Sequence, residues 1–291
     1  MSVDERMIDE VAKIINESEN VVVLSGRKVF REIGLNGVTA EHMAYDIEAK
    51  YGHSSNEIVT AAFLNWRVED FFDYFKNVIL NPKVKEIPDS VKDVKKLMDY
   101  GRVKKVVTRD VYSLYSKAGC EEDDVIALNG TVEDNKCPNC GKIYSSDYVL
   151  DNGPVPTCAD CKVPLRPGFG MYNEMMDSGK INDSCQAVED ADVVIILGSS
   201  AKAKVFNNLL RYIEEEKLII ISDVESFGDE VATYRLYGNI SDIMNKITEK
   251  VTKVEKPEKE EEPEVPEADD KEADAKEVDE KTADATDSKE E

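Results

Sequence analysis

Asn20-Val-Val-Val-Leu-Ser25 is a short, unbroken β-branched run with no polar residue alternating through it. A strand with one wet face alternates apolar and polar side chains. One covered on both faces is apolar throughout, so this run predicts a strand inside a parallel sheet. The pattern repeats outward from it. On its N-terminal side Asp4 to Asn16 carries Met7, Val11, Ile14 and Ile15 at helical spacing. On its C-terminal side similar runs lie at Val103 to Thr108, Val125 to Leu128, Asp192 to Leu197 and Leu218 to Ser222, separated by helical stretches such as Val205 to Glu215. Strands alternating with helices predict an α/β fold, a Rossmann-like parallel sheet with helices on both faces.

Two segments interrupt the alternation: a helical insert at about 39–80 and a cysteine-bearing module at about 130–167. They leave core segments at about 1–38, 81–129 and 168–251. In the insert, Trp66, Phe63, Phe71, Phe72 and Phe75 recur at helical spacing, which predicts a shared aromatic core. Residues 252–291 form a tail; from Glu255 onward it holds 18 acidic and 6 basic side chains and no aromatic. With nothing to bury, such a tail cannot offset the entropy of ordering. Disorder is expected, either as a solubilising tail or as a docking tail for a basic partner.

The whole chain carries a formal charge of -24, which disfavours nucleic acid and anionic membranes as partners. No apolar run approaches the roughly 20 residues needed to span a bilayer. The opening Met-Ser-Val-Asp-Glu-Arg lacks the basic-then-apolar order of a signal peptide, and a cytoplasmic protein is expected. Six cysteines are too few for a disulfide scaffold in a chain of 291 residues.

Four of the six are spaced for a metal. Cys137-Pro-Asn-Cys140 and Cys158-Ala-Asp-Cys161 are two C-x2-C pairs, and each can present two thiolates to one edge of a tetrahedron. Four thiolates leave no open position for water or substrate, so a structural zinc ion is expected, with iron in the same geometry as the alternative. Cys120 and Cys185 read as small buried hydrophobes.

A zinc module inserted just after a Val-Ile-x-Leu-x-Gly strand (Val125 to Gly130) resembles the sirtuins, NAD-dependent protein deacylases. The likeness extends over residues 5–250. Val21-Val-Val-Leu-Ser-Gly26 is similar to the strand leading into the family's NAD loop, and Lys105-Val-Val-Thr108 to the strand before its Thr-Gln-Asn-Ile-Asp. Leu165-Arg-Pro-Gly-Phe-Gly-Met-Tyr-Asn-Glu174 resembles the family's Arg-Pro-x-Val-Val-x-Phe-Gly-Glu. Leu197-Gly-Ser-Ser200 resembles its Gly-Thr-Ser turn, and Ile219-Ile-Ile-Ser-Asp-Val-Glu225 the strand whose end holds an adenosine-ribose Asn. The resemblance therefore implies NAD or ADP-ribose as ligand, contacted by Ser25, Gly26, Asp110, Gly198, Ser199, Ser200 and Asp223, and an acyl-lysine or basic protein as partner. For Gly198 to Ser200 it implies phosphate oxygens held at a helix N-terminus.

The departures from the family fall on its chemistry. A sirtuin uses the His of Leu-His-Gly as the general base that relays a proton from the nicotinamide ribose; here that position is Asn129. A carboxamide has no proton-accepting site of useful pKa, and general-base help is typically worth roughly 10²- to 10⁴-fold. His42 and His53 lie in the insert and read as surface or core imidazoles. The family's Gln-Asn-Ile-Asp becomes Arg109-Asp-Val-Tyr112, which removes the carboxamide's acidic partner. Gly-Ala-Gly-Ile-Ser becomes Gly26-Arg-Lys-Val-Phe30; Arg27 and Lys28 either pair with phosphate or mark a loop that packs differently and blocks the site. Gly-Ile-Pro-Asp-Phe-Arg becomes Gly34-Leu-Asn-Gly-Val-Thr39. Asp223 either accepts from ribose hydroxyls or is a plain strand end. Three functions remain: a weak or inactive deacylase that acts by nucleotide or protein binding, an active deacylase or ADP-ribosyltransferase with altered residues, and a zinc-module adaptor.

Overall fold

A computed structural model describes residues 4–35, 37–80, 86–213 and 217–254. The tail expected at 252–291 lies outside the described residues from 255 onward. Helix α1 (Glu5–Glu17) is capped by the Asp4 carboxylate, which accepts from the Arg6 amide, and buries Ile8, Val11, Ala12 and Ile15. Strand β1 (Val21–Ser25) follows and is buried at every position. Its alternate side chains enter two separate cores, which is what a strand covered on both faces requires. Val21 and Val23 pack with Ile8, Val91 and Ile243 on one side. Val22 and Leu24 pack with Val188, Phe206 and Leu209 on the other.

The remaining sheet strands are β2 (Val103–Thr108), β3 (Val125–Ala127), β6 (Val193–Leu197), β7 (Leu218–Ser222) and β8 (Tyr234–Tyr237), in spatial order β3-β2-β1-β6-β7-β8. Every pairing is parallel. Helices α7 (Asp89–Asp99) and α12 (Ile240–Lys250) pack with α1 on one face, and α10 (Ser178–Glu189) and α11 (Lys204–Leu209) cover the other. The chain runs outward from β1 through β2 to β3, then restarts on the other side of β1 with β6. That reversal opens a crevice beyond the carboxyl ends of β1 and β6, where open α/β sheets place their ligands.

Helix α2 (Arg27–Arg31) leaves β1 directly, and the insert follows as α3 (Ala44–Tyr51), α4 (Ser55–Ile58), α5 (Ala61–Trp66) and α6 (Val68–Tyr74), continued by a π-helical turn at Phe75–Ile79. Phe63, Phe71, Phe72 and Phe75 are buried. Trp66 corrects the expectation drawn from spacing: it is 73% exposed. It is the last residue of the short helix α5, whose core-facing side is already filled by Phe63 and Leu64. Its indole instead stands edge-on to His53 and Phe63, with the Arg67 guanidinium over it. Among the described residues no helix is long and apolar enough to cross a membrane.

After β3 comes the cysteine module: the β4 (Asn135–Lys136) and β5 (Ile143–Tyr144) hairpin, then α9 (Ser146–Asp151). The module is tied back to the rest of the chain at its base, where the Thr131 amide donates to the Gly168 carbonyl at 3.2 Å and the Val132 amide to the Val111 carbonyl at 2.8 Å.

Candidate functional site

Each cysteine pair forms a tight turn. The Cys140 amide points at Cys137 Sγ at 3.5 Å and the Cys161 amide at Cys158 Sγ at 3.4 Å. The Gly141 amide donates to the Cys137 carbonyl and the Lys162 amide to the Cys158 carbonyl, both at 3.0 Å. Closing such a turn needs a left-handed residue just after the second cysteine. Gly141 has φ 74° at no steric cost, and Lys162 adopts φ 58° with one. The four sulfurs lie within 4.8 Å of one another, with Cys140 Sγ and Cys158 Sγ 3.7 Å apart. Bonds of about 2.3 Å to a tetrahedral zinc put sulfurs roughly 3.8 Å apart, so the cluster fits one zinc ion. The Tyr144 hydroxyl donates to Cys158 Sγ at 3.2 Å and accepts from the Ala159 amide at 2.9 Å, fixing that sulfur from behind. Cys120 is buried, and burial pushes its thiol up to about 11, as suits a packing residue. Cys185 is half-buried against the second core.

At the sheet's crevice the turns after β1 and β6 touch. The Gly26 amide donates to the Leu197 carbonyl at 2.7 Å and the Lys28 amide to the Gly198 carbonyl at 3.1 Å. A Cβ on Gly26 would sit 2.4 Å from Ser199 Cβ, and one on Gly198 2.8 Å from Val29 Cγ2. These two glycines are what let the turns meet. Lys28 then reaches over the strand ends to Asp223, with Nζ also 3.1 Å from Ser222 Oγ. Partial burial pushes the Asp223 carboxyl up, but the Lys28 ammonium outweighs that and holds it below the usual range. Lysine and aspartate thus occupy each other at the edge of the crevice.

Ser199 and Ser200 stand half-buried after Gly198, but α11 begins only at Lys204, so they do not form its N-terminus. The intervening turn is pinned from inside. Buried Asp229 accepts from the Ala201 amide at 3.1 Å, the Ser226 amide at 3.0 Å and the Tyr237 hydroxyl at 3.2 Å. Nothing in the spacing of the sequence marked Asp229.

Asp110 is likewise directed inward: Oδ1 accepts from the Tyr112 amide and Oδ2 from the Leu114 amide, each at 2.7 Å, at the start of α8 (Leu114–Lys117). Ser25 is buried at the end of β1, and its carbonyl accepts from the Arg109 amide at 3.1 Å. Asn129, next to the end of β3, turns its side chain toward β2: Nδ2 donates to the Arg109 carbonyl at 3.0 Å. The Glu174 carboxylate caps the Met171 amide at 2.9 Å, and the Tyr172 amide donates to the Val59 carbonyl at 2.7 Å, which ties this loop to the insert.

A doubly covered parallel sheet with a switch point, and a four-thiolate module that fits zinc set between β3 and α10, define a Rossmann-like class of protein with a small metal-site insertion. The Sir2 family model matches residues 21–205. The chain belongs to the Sir2 family, the sirtuins. It is 28% identical over 241 residues to an NAD-dependent protein deacetylase of Clostridium tetani, covering 82% of this chain and 96% of that protein. A deacetylase of the same description from Clostridium acetobutylicum is 27% identical over 246 residues, covering 84% and 97%. Among solved structures, a Sir2 homologue in complex with NAD superposes with a TM-score of 0.71 at 22% identity, covering 83% of this chain and 92% of that one. Sir2 bound to acetylated peptide does so at 0.69 and 23%, covering 83% and 97%.

Proposed function

We propose that this sirtuin binds an ADP-ribose-type nucleotide beyond β1 and β6 and is weak or inactive as a deacylase. One observation carries the reading. Asn129, at the position of the family's base, spends its amide N–H on the Arg109 carbonyl, and a carboxamide cannot take up a proton in any case. Ser25, Gly26, Gly198, Ser199 and Ser200 would line the diphosphate and adenosine side. Asp223 would exchange Lys28 for ribose hydroxyls; that pair is partly exposed and worth ~1 kcal/mol or less, so a ligand can displace it. Asp110 would act by shaping the α8 turn. Cys137, Cys140, Cys158 and Cys161 would hold a closed zinc that staples residues 130–167 and takes no part in chemistry. An acylated or basic protein segment is the partner that fits the family. The descriptions of the clostridial relatives favour a second reading, an active NAD-dependent deacylase.

Isothermal titration and a mass-spectrometric assay separate the two. ADP-ribose should bind, while an acetyl-lysine peptide with NAD should give no stoichiometric O-acetyl-ADP-ribose. Equimolar nicotinamide and O-acetyl-ADP-ribose would refute the first reading and establish the second.

A further inference from the structure

Positive charge collects at one end of this crevice although the whole chain is strongly acidic. Arg27 and Arg31 share a single carboxylate, Glu41, at 3.4 and 3.9 Å, and Lys28 has Asp223. Arg109 forms no ion pair among the described residues, and its Nε is shut away from solvent with no acceptor among them. Its neighbour Asp110 spends both oxygens on backbone amides. Burial, and then the charge of Arg27, lower the Arg109 pKa, but a guanidinium remains protonated in a protein. Among the described residues these four cations form ion pairs with only two carboxylates, Glu41 and Asp223. Arg27 and Arg31 also wall a cavity of about 480 Å³ with Thr39 and His42. The Arg109 amide is bonded to Ser25, two residues before Arg27, so both guanidinium groups spring from the ends of the adjacent strands β1 and β2.

A partly buried guanidinium without an anion is a costly arrangement, and an incoming oxyanion relieves it. Guanidinium groups offer donors only, in a planar fork that matches carboxylate or phosphate. A cationic pyridinium bearing a neutral carboxamide is the wrong charge for such a place. We propose that Arg27 and Arg109 clamp an oxyanion at the far end of an adenine dinucleotide or ADP-ribose derivative, so that the crevice prefers carboxylate- or phosphate-ended ligands to NAD. This rests on the nucleotide-binding reading above and names the ligand's distal chemistry.

Titration calorimetry on the zinc-loaded full chain tests it with four probes: NAD, nicotinic acid adenine dinucleotide, ADP-ribose, and ADP-ribose phosphorylated on its distal ribose. A charge-assisted clamp should make at least one oxyanion-ended probe bind about 10- to 100-fold tighter than NAD. Comparing the carboxylate and phosphate arms identifies which anion it reads. Arg109→Gln should bring that ratio close to one while leaving ADP-ribose affinity within about twofold. Arg27→Ala, at a more exposed site, should lower the ratio in the same direction should Arg109→Gln fold poorly. ADP-ribose binding without preference among the distal groups, or a preference that survives both substitutions, would overturn the clamp alone. No binding by any probe would overturn the nucleotide reading and the clamp with it.

Discussion

Asp93→Asn should stabilise this protein at neutral pH and leave it unchanged in acid. Asp93 lies on α7 where that helix packs on α12; it is only 7% exposed, and its Oδ2 has no hydrogen-bond partner. Burial pushes its carboxyl from the ordinary 3.8 to about 6; Lys96 and Asn245 oppose the shift, and Asp89 and Glu249 add to it. The folded state therefore binds this proton more tightly than the unfolded chain does. The advantage is fully present below about pH 4 and is lost as pH rises through about 6. A shift of that size has an upper limit of ~3 kcal/mol at neutral pH. Relaxation of the groove around the charged carboxylate, which raises its effective dielectric, reduces the expected gain to ~1–2 kcal/mol. For a domain of this length that raises the melting temperature by roughly 2–8 °C. Calorimetric melts of wild type and variant at pH 4, 5, 6 and 7.5 read the difference directly. It should be near zero at pH 4 and grow to its full value by pH 7.5. A variant that melts no higher at pH 7.5, or a difference that does not change with pH, would refute the assignment of an ionised, under-solvated carboxylate to this groove.

Cys158→Ser should lower bound zinc from one per chain to none by atomic absorption. Protease should then cut between 130 and 167 before the sheet, because structural zinc supplies ~10–16 kcal/mol of apparent binding energy in small sites. Lys162→Gly should raise stability by ~0.5–1 kcal/mol in urea melts, since it relieves a left-handed side chain in the second cysteine turn. Asp229→Ala should cost ~2–3 kcal/mol in the same assay by leaving the buried Ala201 amide and its neighbours without an acceptor. The single tryptophan should emit as a water-exposed indole and be quenched freely by acrylamide; shielded emission would mean that the face around Trp66 is covered in solution.

The central strands were legible because burial on both faces leaves an unbroken apolar run: Val21 to Leu24, Val193 to Leu197 and Leu218 to Ile221 all read directly. β8 was not. It is an edge strand in which only Leu236 is buried, so Tyr-Arg-Leu-Tyr carries neither a continuous run nor a clean alternation. The cysteine spacing announced its own geometry, since four ligands at two short intervals admit few arrangements. Spacing misled at Trp66, because it is the last residue of a six-residue helix whose buried positions are Phe63 and Leu64. The helix start expected at Ser199 and Ser200 moved to Lys204 for a related reason: Asp229 holds the turn open, and that carboxylate comes from 28 residues further along. Lys28 and Asp223, 195 residues apart, could be named as departures from the family, but their pairing depends on β1 and β7 ending at the same edge of the sheet.

The Lys28–Asp223 pair has a consequence for how binding responds to ionic strength. A groove of bare lysine and arginine gives up condensed counterions when an anion arrives, and its affinity falls steeply as salt is added. Here one cation already holds an anion from its own chain, and a diphosphate reaching it would swap one partner for another. Added salt weakens the resident pair and the incoming contact alike. The share of the salt dependence of ADP-ribose binding that Lys28 contributes should therefore be small, and Asp223→Asn should steepen that dependence while tightening binding at low salt.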